Sequence, residues 1–157
     1  MKKEVLYPLM YELAYLYYGQ SEFDKSLEIL NYLVDNKNLA YLIIAHNAIE
    51  LRIVIHYELS NDHLVESLIR SSVRFSQKHK LENLGYRLFL TFLKNGNYSK
   101  KTIGDLLTQL ENVDDPSFER EGFDKKIWLR SQLEKSSYPE TYQKHYKIYQ
   151  LNKGQEN

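Results

Sequence analysis

Residues 15–30 read YLYYGQSEFDKSLEIL, and this stretch decides the fold. Three tyrosines stand in one helical turn before Gly19, and a new apolar-periodic run begins at Phe23. A glycine followed by short polar residues is typical of the end of one helix and the start of the next. Apolar residues recur at spacings of three and four on both sides of this break. The stretch therefore predicts two helices joined by a tight turn.

The same periodicity continues along the chain. Seven apolar-periodic segments are separated by short breaks rich in Gly, Asn, Asp, Ser and Pro, and no window alternates with a period of two. The third segment is apolar on more than one side, which predicts a central helix. Short breaks favour antiparallel neighbours. The prediction is an all-α fold of about seven helices plus a short C-terminal helix from about Glu140 to Leu151.

Several breaks carry residues that suit helix starts. Ser21 is a candidate N-cap with Asp24 three residues later, because a short polar side chain accepts from free amides and an acid suits the helix dipole. Asp115 before Pro116 predicts a capped start for the seventh helix, and Pro139 marks the last one. No linker divides the chain. We expect a single domain over residues 1–157, with hairpins at about 4–36, 38–79 and 80–113 and capping helices at about 116–151.

Three helix–turn–helix units align with one another, with Phe23, Leu64 and Tyr98 in equivalent places. The first unit resembles the tetratricopeptide repeat, a helical hairpin of about 34 residues. The matching residues are Leu13, Ala14, Tyr17, Phe23, Ser26 and Leu30. Over roughly residues 5–113, the resemblance implies a right-handed stack of antiparallel hairpins, an α-solenoid with a concave face. A compact irregular helical bundle is the alternative.

This chain departs from the tetratricopeptide pattern at several positions. Met10 stands where that family usually has tryptophan, and Asn38 stands in the place of its proline. Ile55 and Phe89 replace the small residue in the later units, and the second unit is longer than the first by about seven residues.

The resemblance also implies which residues line the concave face: Tyr11, Tyr15, Tyr18, Arg52, His56 and Tyr86. The first three lie at i, i+4 and i+7, so they share one face of any helix. Tyrosine and arginine are typical anchors of binding surfaces. We therefore expect a non-enzymatic scaffold that binds a peptide or protein partner, such as a peptide with an acidic end. The alternative is that these tyrosines pack between helices.

A basic stripe on the fourth helix offers a second hypothesis. Arg70, Arg74 and Lys78 recur every four residues and would suit an anionic partner. A regulatory or nucleic-acid-associated domain is the corresponding alternative function. The chain has 21 basic and 21 acidic residues, and this zero net charge argues against nucleic acid as the partner. Such a stripe is more commonly a solvated face with Glu66 beside it.

Neither a catalytic motif nor a metal site is expected. The chain has no cysteine, no P-loop and no Gly-x-Ser-x-Gly sequence. His46 and Glu50, one turn apart, offer two ligands, but no third ligand follows at metal-site spacing. The expectation is a chain without enzymatic activity, cofactor or metal.

The longest apolar stretch, from Leu39 to Ala45, is too short to cross a bilayer, which needs about 20 residues. The basic N-terminus lacks the features of a signal peptide, since acids and Pro8 interrupt it. We expect a cytoplasmic protein without membrane contact. A helical stack also leaves its end faces open, so a homo-oligomer is a further expectation.

Overall fold

The computed structural model describes residues 3–36, 41–96, 98–113 and 123–155, and all regular secondary structure in these ranges is helical. The helices are α1 (Lys3–Gly19), α2 (Phe23–Asp35), α3 (Leu42–Glu58), α4 (Asp62–His79), α5 (Leu84–Asn95), α6 (Lys100–Glu111), α7 (Lys125–Glu134) and α8 (Tyr138–Gln155). Each helix packs against its neighbours in sequence. The prediction of an all-α helical stack is confirmed, with eight helices in the described ranges.

Helix α3 lies at the centre of the stack. Ten of its residues are buried, including every position from Ala45 to Leu51. It packs against α2 and α4 and also contacts α1. A helix that is apolar on all sides needs neighbours on all sides, which explains why the third segment has no single apolar stripe.

Four helices end in the same way, with one residue in the left-handed region. Ser21, Ser60, Lys80 and Lys135 have φ values of 59°, 58°, 55° and 54°. The residue that follows each of these four donates its amide hydrogen to the carbonyl five residues before it. The Glu22 amide, for example, donates to Tyr17 O at 2.9 Å. These bonds satisfy carbonyls at the helix end. The prediction of Ser21 as the N-cap of α2 is wrong, because Ser21 closes the end of α1 and Glu22 is the cap residue.

The first hairpin brings two small residues into contact. Ser26 Oγ of α2 donates a hydrogen bond to Ala14 O of α1 at 2.8 Å, and both residues are fully buried. A side chain larger than alanine at residue 14 would separate the two helices. These are the two small positions at which the first unit resembles a tetratricopeptide hairpin.

The last helix is longer than predicted. Helix α8 has 18 residues, whereas the expected helix ran only from about Glu140 to Leu151. Its start is stabilised by Ser137 and Glu140, since Glu140 Oε2 accepts from the Ser137 amide at 3.0 Å and from its hydroxyl at 2.8 Å. This pairing of a helix-start serine with an acid three residues later is a capping box. The expected start of the seventh helix at Pro116 lies outside the described residues.

Within the described ranges, none of the helices combines the length and the apolar character that crossing a bilayer requires.

Candidate functional site

The tyrosine face of α1 is covered by the chain itself. Tyr11 and Tyr18 are only 2% and 3% exposed. The Tyr18 ring centroid lies 6.0 Å from that of Phe123 and 5.6 Å from that of Tyr138. The hydroxyl oxygens of Tyr15 and Tyr138 are 2.5 Å apart. Residues 123–138, which we call the covering segment, therefore occupy this face.

The covering segment also packs against α3. Lys125 Nζ lies 3.0 Å from Glu50 Oε1, and Trp128 Nε1 donates to Glu58 Oε1 at 2.8 Å. The Trp128 ring is fully buried, with its centroid 5.4 Å from that of Tyr57. Because the covering segment forms hydrogen bonds or ion pairs with both α1 and α3, it fills the space where the sequence predicted an open groove.

Tyr86 lies in the core as well. It is 1% exposed, its hydroxyl is hydrogen-bonded to that of Ser72, and its ring centroid is 4.4 Å from that of His46. Tyr11, Tyr18 and Tyr86 therefore pack between helices, which is the alternative that the sequence left open. An exposed groove is not found at these three positions, because all three side chains are buried; ring neighbours and hydroxyl partners within the chain enclose Tyr18 and Tyr86. Tyr15 is partly buried.

Arg52 and His56 do not join the tyrosine face. Both are partly buried, and Arg52 lies within electrostatic reach of Asp35 on α2. The His56 ring nitrogen Nδ1 is 3.2 Å from the Asn61 side-chain nitrogen. The residues of α3 that face the covering segment are instead Glu50, Tyr57 and Glu58. Register alone placed Arg52 and His56 on the inner face, but α3 is rotated so that its acidic residues face α7.

A small set of ionisable groups is buried between α3 and α7. Burial raises the pKa of Glu50, and Lys125 opposes this effect. Lys125 Nζ and Glu50 Oε1 form an ion pair at 3.0 Å. Burial, with Lys125 nearby, lowers the pKa of His46 to about 4, so its imidazole is neutral at pH 7. The Glu50–Lys125 pair attaches α7 to α3, and Glu50 and His46 lie too deep to meet a partner.

The basic stripe of α4 borders a groove of about 460 Å³ between α4 and α5, which we call the α4–α5 groove. Its lining residues are Ile69, Arg70, Val73, Arg74, Gln77, Glu82, Arg87, Leu90, Thr91 and Lys94. Four cationic side chains and one carboxylate thus line the groove. Lys78, the third residue of the predicted basic stripe, is exposed on α4 but does not line the groove; Gln77 does.

The sequence did not predict that Arg87 and Lys94 belong to this surface. They lie at i and i+7 on α5 with Thr91 between them, so their sequence spacing alone predicts that they share a polar face of α5. That this face borders Arg70 and Arg74 depends on how α5 packs beside α4. Arg70 also forms an exposed pair with Glu66 at 2.7 Å, which contributes little because water screens it.

An apolar stripe remains exposed on α1. Val5, Leu9, Leu13 and Leu16 are between 43% and 59% exposed and recur at spacings of three and four. This is the outer side of the first helix in the stack. Self-association stays a prediction.

Among the described residues, no group of three or more His, Asp or Glu side chains is placed to hold a metal ion. His46 and Glu50, the pair one turn apart, are turned towards Tyr86 and Lys125 respectively.

Comparisons with protein-family models, with curated proteins and with solved structures gave no match.

Proposed function

We propose that this chain is a non-enzymatic interaction module that binds an acidic segment of a protein partner in the α4–α5 groove. The general class is the scaffold that the sequence led us to expect. The surface differs, because the covering segment occupies the tyrosine face of α1. Stacks of helical hairpins commonly use surfaces formed by successive helices for binding, and the resemblance of the first unit to tetratricopeptide hairpins supports this class.

The observation that carries the proposal is the charge of the groove. Arg74, Arg87 and Lys94 are exposed, and Glu82 is the one carboxylate among the described lining residues. An unbalanced group of cations in a concave surface attracts anionic ligands and speeds their association. Arginine is well suited to carboxylates, since its planar guanidinium can bind both oxygens at once.

The apolar floor of the groove favours a protein partner over nucleic acid. Ile69, Val73 and Leu90 line it together with the cations. A peptide with acidic and apolar side chains would contact both parts of the surface, whereas a phosphate backbone contacts only the charges. The zero net charge of the chain points the same way.

A charge-reversal variant tests the proposal. Arg74→Glu/Arg87→Glu changes the groove, and Lys100→Glu/Lys101→Glu makes the same change in charge at exposed positions of α6. Each chain is titrated, by fluorescence anisotropy at two salt concentrations, with a labelled peptide of alternating Glu-Glu and Leu-Leu pairs. Single-stranded RNA and duplex DNA serve as the other probes. Circular dichroism checks that every variant is folded.

We expect the wild-type chain and the α6 variant to bind the acidic peptide, and the groove variant to bind it at least about tenfold more weakly, since charged hydrogen bonds contribute about 1.5–3 kcal/mol each. The same variants would then be used to capture the natural partner from lysate. Equal binding by both variants would remove the groove as the site. Binding of nucleic acid but not peptide, with a steep dependence on salt, would establish the alternative function.

A further inference from the structure

A second cavity lies where the ends of several helices meet. It has a volume of about 520 Å³, within the usual size of small-molecule sites. The residues that matter in its lining are Tyr18, Tyr57, Glu58, Asp62, Tyr98 and Tyr138, and we call it the tyrosine–carboxylate cleft. The cleft is formed in part by the ends of α1 and α3, the starts of α4 and α8, and Tyr98, which precedes α6.

The charge of this cleft is opposite to that of the α4–α5 groove. Glu58 and Asp62 are carboxylates, and the described lining includes no lysine, arginine or histidine. The other lining residues are neutral. The only charged side chains that an entering ligand meets in this lining are therefore negative, which favours a cation.

Glu58 is held in a defined position at the edge of the cleft. Its Oε1 atom accepts from the Tyr18 hydroxyl at 2.7 Å and from Trp128 Nε1 at 2.8 Å. Both donors come from buried residues on other helices, α1 and α7. Two hydrogen bonds to one oxygen hold the carboxylate in one orientation before a ligand arrives.

Aromatic rings contribute to the remaining wall, which also includes five serines and Gln132. Four tyrosines line the cleft, and the ring centroids of Tyr57 and Tyr98 are 4.9 Å apart in an edge-to-face arrangement. Tyrosine rings attract organic cations through their π faces, and they also contact the alkyl part of such ligands. Carboxylates together with several aromatic rings are the chemistry that recognises ammonium and guanidinium groups.

We infer that the tyrosine–carboxylate cleft binds an organic cation that carries an alkylammonium or guanidinium group. Glu58 and Asp62 supply the negative charge, and the partly exposed rings of Tyr57 and Tyr98 contact the alkyl stem. The ligand is either a free polyamine or the lysine or arginine side chain of a protein. This inference is independent of the proposed function, since the two surfaces have different lining residues and opposite charge.

Isothermal titration calorimetry with defined probes tests the inference. Spermidine represents a free polyamine, N-acetyl-lysine amide and N-acetyl-arginine amide represent protein side chains, and N-acetyl-norleucine amide is the neutral control. The variants are Glu58→Gln, which can still accept from Tyr18 and Trp128, and Asp62→Asn. Glu28→Gln, exposed on α2, is the matched control. Trp128 is the only tryptophan, so its fluorescence gives a second readout beside Glu58.

We expect saturable binding of at least one cationic probe, a weakening of about tenfold or more in Glu58→Gln, and unchanged binding in Glu28→Gln. Spermidine alone would identify a small-molecule ligand, and the amino acid amides alone would identify a protein side chain. The inference is overturned if no cationic probe saturates the chain at concentrations up to about 10 mM. It is also overturned if the neutral control binds equally well, or if Glu58→Gln and Asp62→Asn both bind as the wild type does.

Discussion

Lys125 Nζ lies 3.0 Å from Glu50 Oε1, and this ion pair joins two helices that are far apart in sequence. The Glu50 side chain is 4% exposed and that of Lys125 is 19% exposed. Separating charges from water is costly, so a buried carboxylate needs the cation that faces it. The pair therefore ties the position of α7, and of the covering segment around it, to the centre of the stack.

Removal of the lysine charge tests this role. We expect Lys125→Met to lower the free energy of unfolding at pH 7 by about 3 kcal/mol, because Glu50 stays buried without its cation. The double variant Glu50→Gln/Lys125→Met should lose clearly less, since no charge is then left unpaired. Urea unfolding followed by circular dichroism measures both. A double variant as unstable as the single one would show that packing, not charge, explains the loss.

The buried imidazole of His46 predicts a loss of stability in mild acid. Its pKa in the folded chain is about 4, below the ordinary value of 6.5. Between these values the unfolded chain binds more protons, so stability falls as pH falls from 6.5 to 4. Relative to His46→Gln, the wild type should lose about 3 kcal/mol across this window.

Glu50 changes the stability with pH in the direction opposite to His46, and the comparison with His46→Gln cancels this contribution. Burial raises the pKa of Glu50, so as pH falls the folded chain takes up a proton there before the unfolded chain does. This effect favours folding in acid in both chains. Urea unfolding at half-unit pH steps gives the difference profile, and parallel profiles for the two chains would contradict the assignment to His46.

The hydroxyl of Tyr138 joins the covering segment to α1. It lies 2.5 Å from the Tyr15 hydroxyl and accepts from the Asp124 amide at 3.2 Å. Tyr138→Phe should cost about 1–2 kcal/mol, because these partly buried groups lose a partner. Tyr142→Phe, at a ring that is 43% exposed, is the control and should change stability by less than about 0.5 kcal/mol. Thermal and urea unfolding measure both variants, and equal losses would contradict the assigned role.

The close approach of α1 and α2 depends on the small side chain of residue 14. Ala14→Leu should destabilise the chain by about 2 kcal/mol or more, since Ser26 and the α2 backbone leave no room for it. Leu13→Ala, at a residue that is 43% exposed, should be nearly neutral by comparison. If urea unfolding shows Ala14→Leu to be as stable as the wild type, the two helices are not in the contact described.

The rotation of α3 about its axis could not be predicted from the sequence. Spacing placed Tyr11, Tyr15 and Tyr18 on one side of α1, and the structure finds them there. The resemblance to a repeat then placed Arg52 and His56 opposite them, whereas Glu50 and Glu58 face the covering segment. Helix α3 is buried on nearly all sides, so its apolar pattern contains no stripe from which its rotation could be derived.

The sequence by itself determined that the chain is helical and where small residues lie in the first two helices. Apolar spacings of three and four favour helical segments, because this pattern depends on residues that are close along the chain. Only the tertiary structure decided which side of α1 is buried: Tyr11 and Tyr18 lie inside, while Leu9 and Leu13 remain exposed. Hydropathy alone favours the leucines, but the covering segment, more than 100 residues away along the chain, supplies rings and hydrogen-bond partners to the tyrosines. The same dependence on distant partners brought Tyr18 and Tyr138 into one cleft with Glu58, and the packing of α5 beside α4 placed Arg87 and Arg74 in one groove.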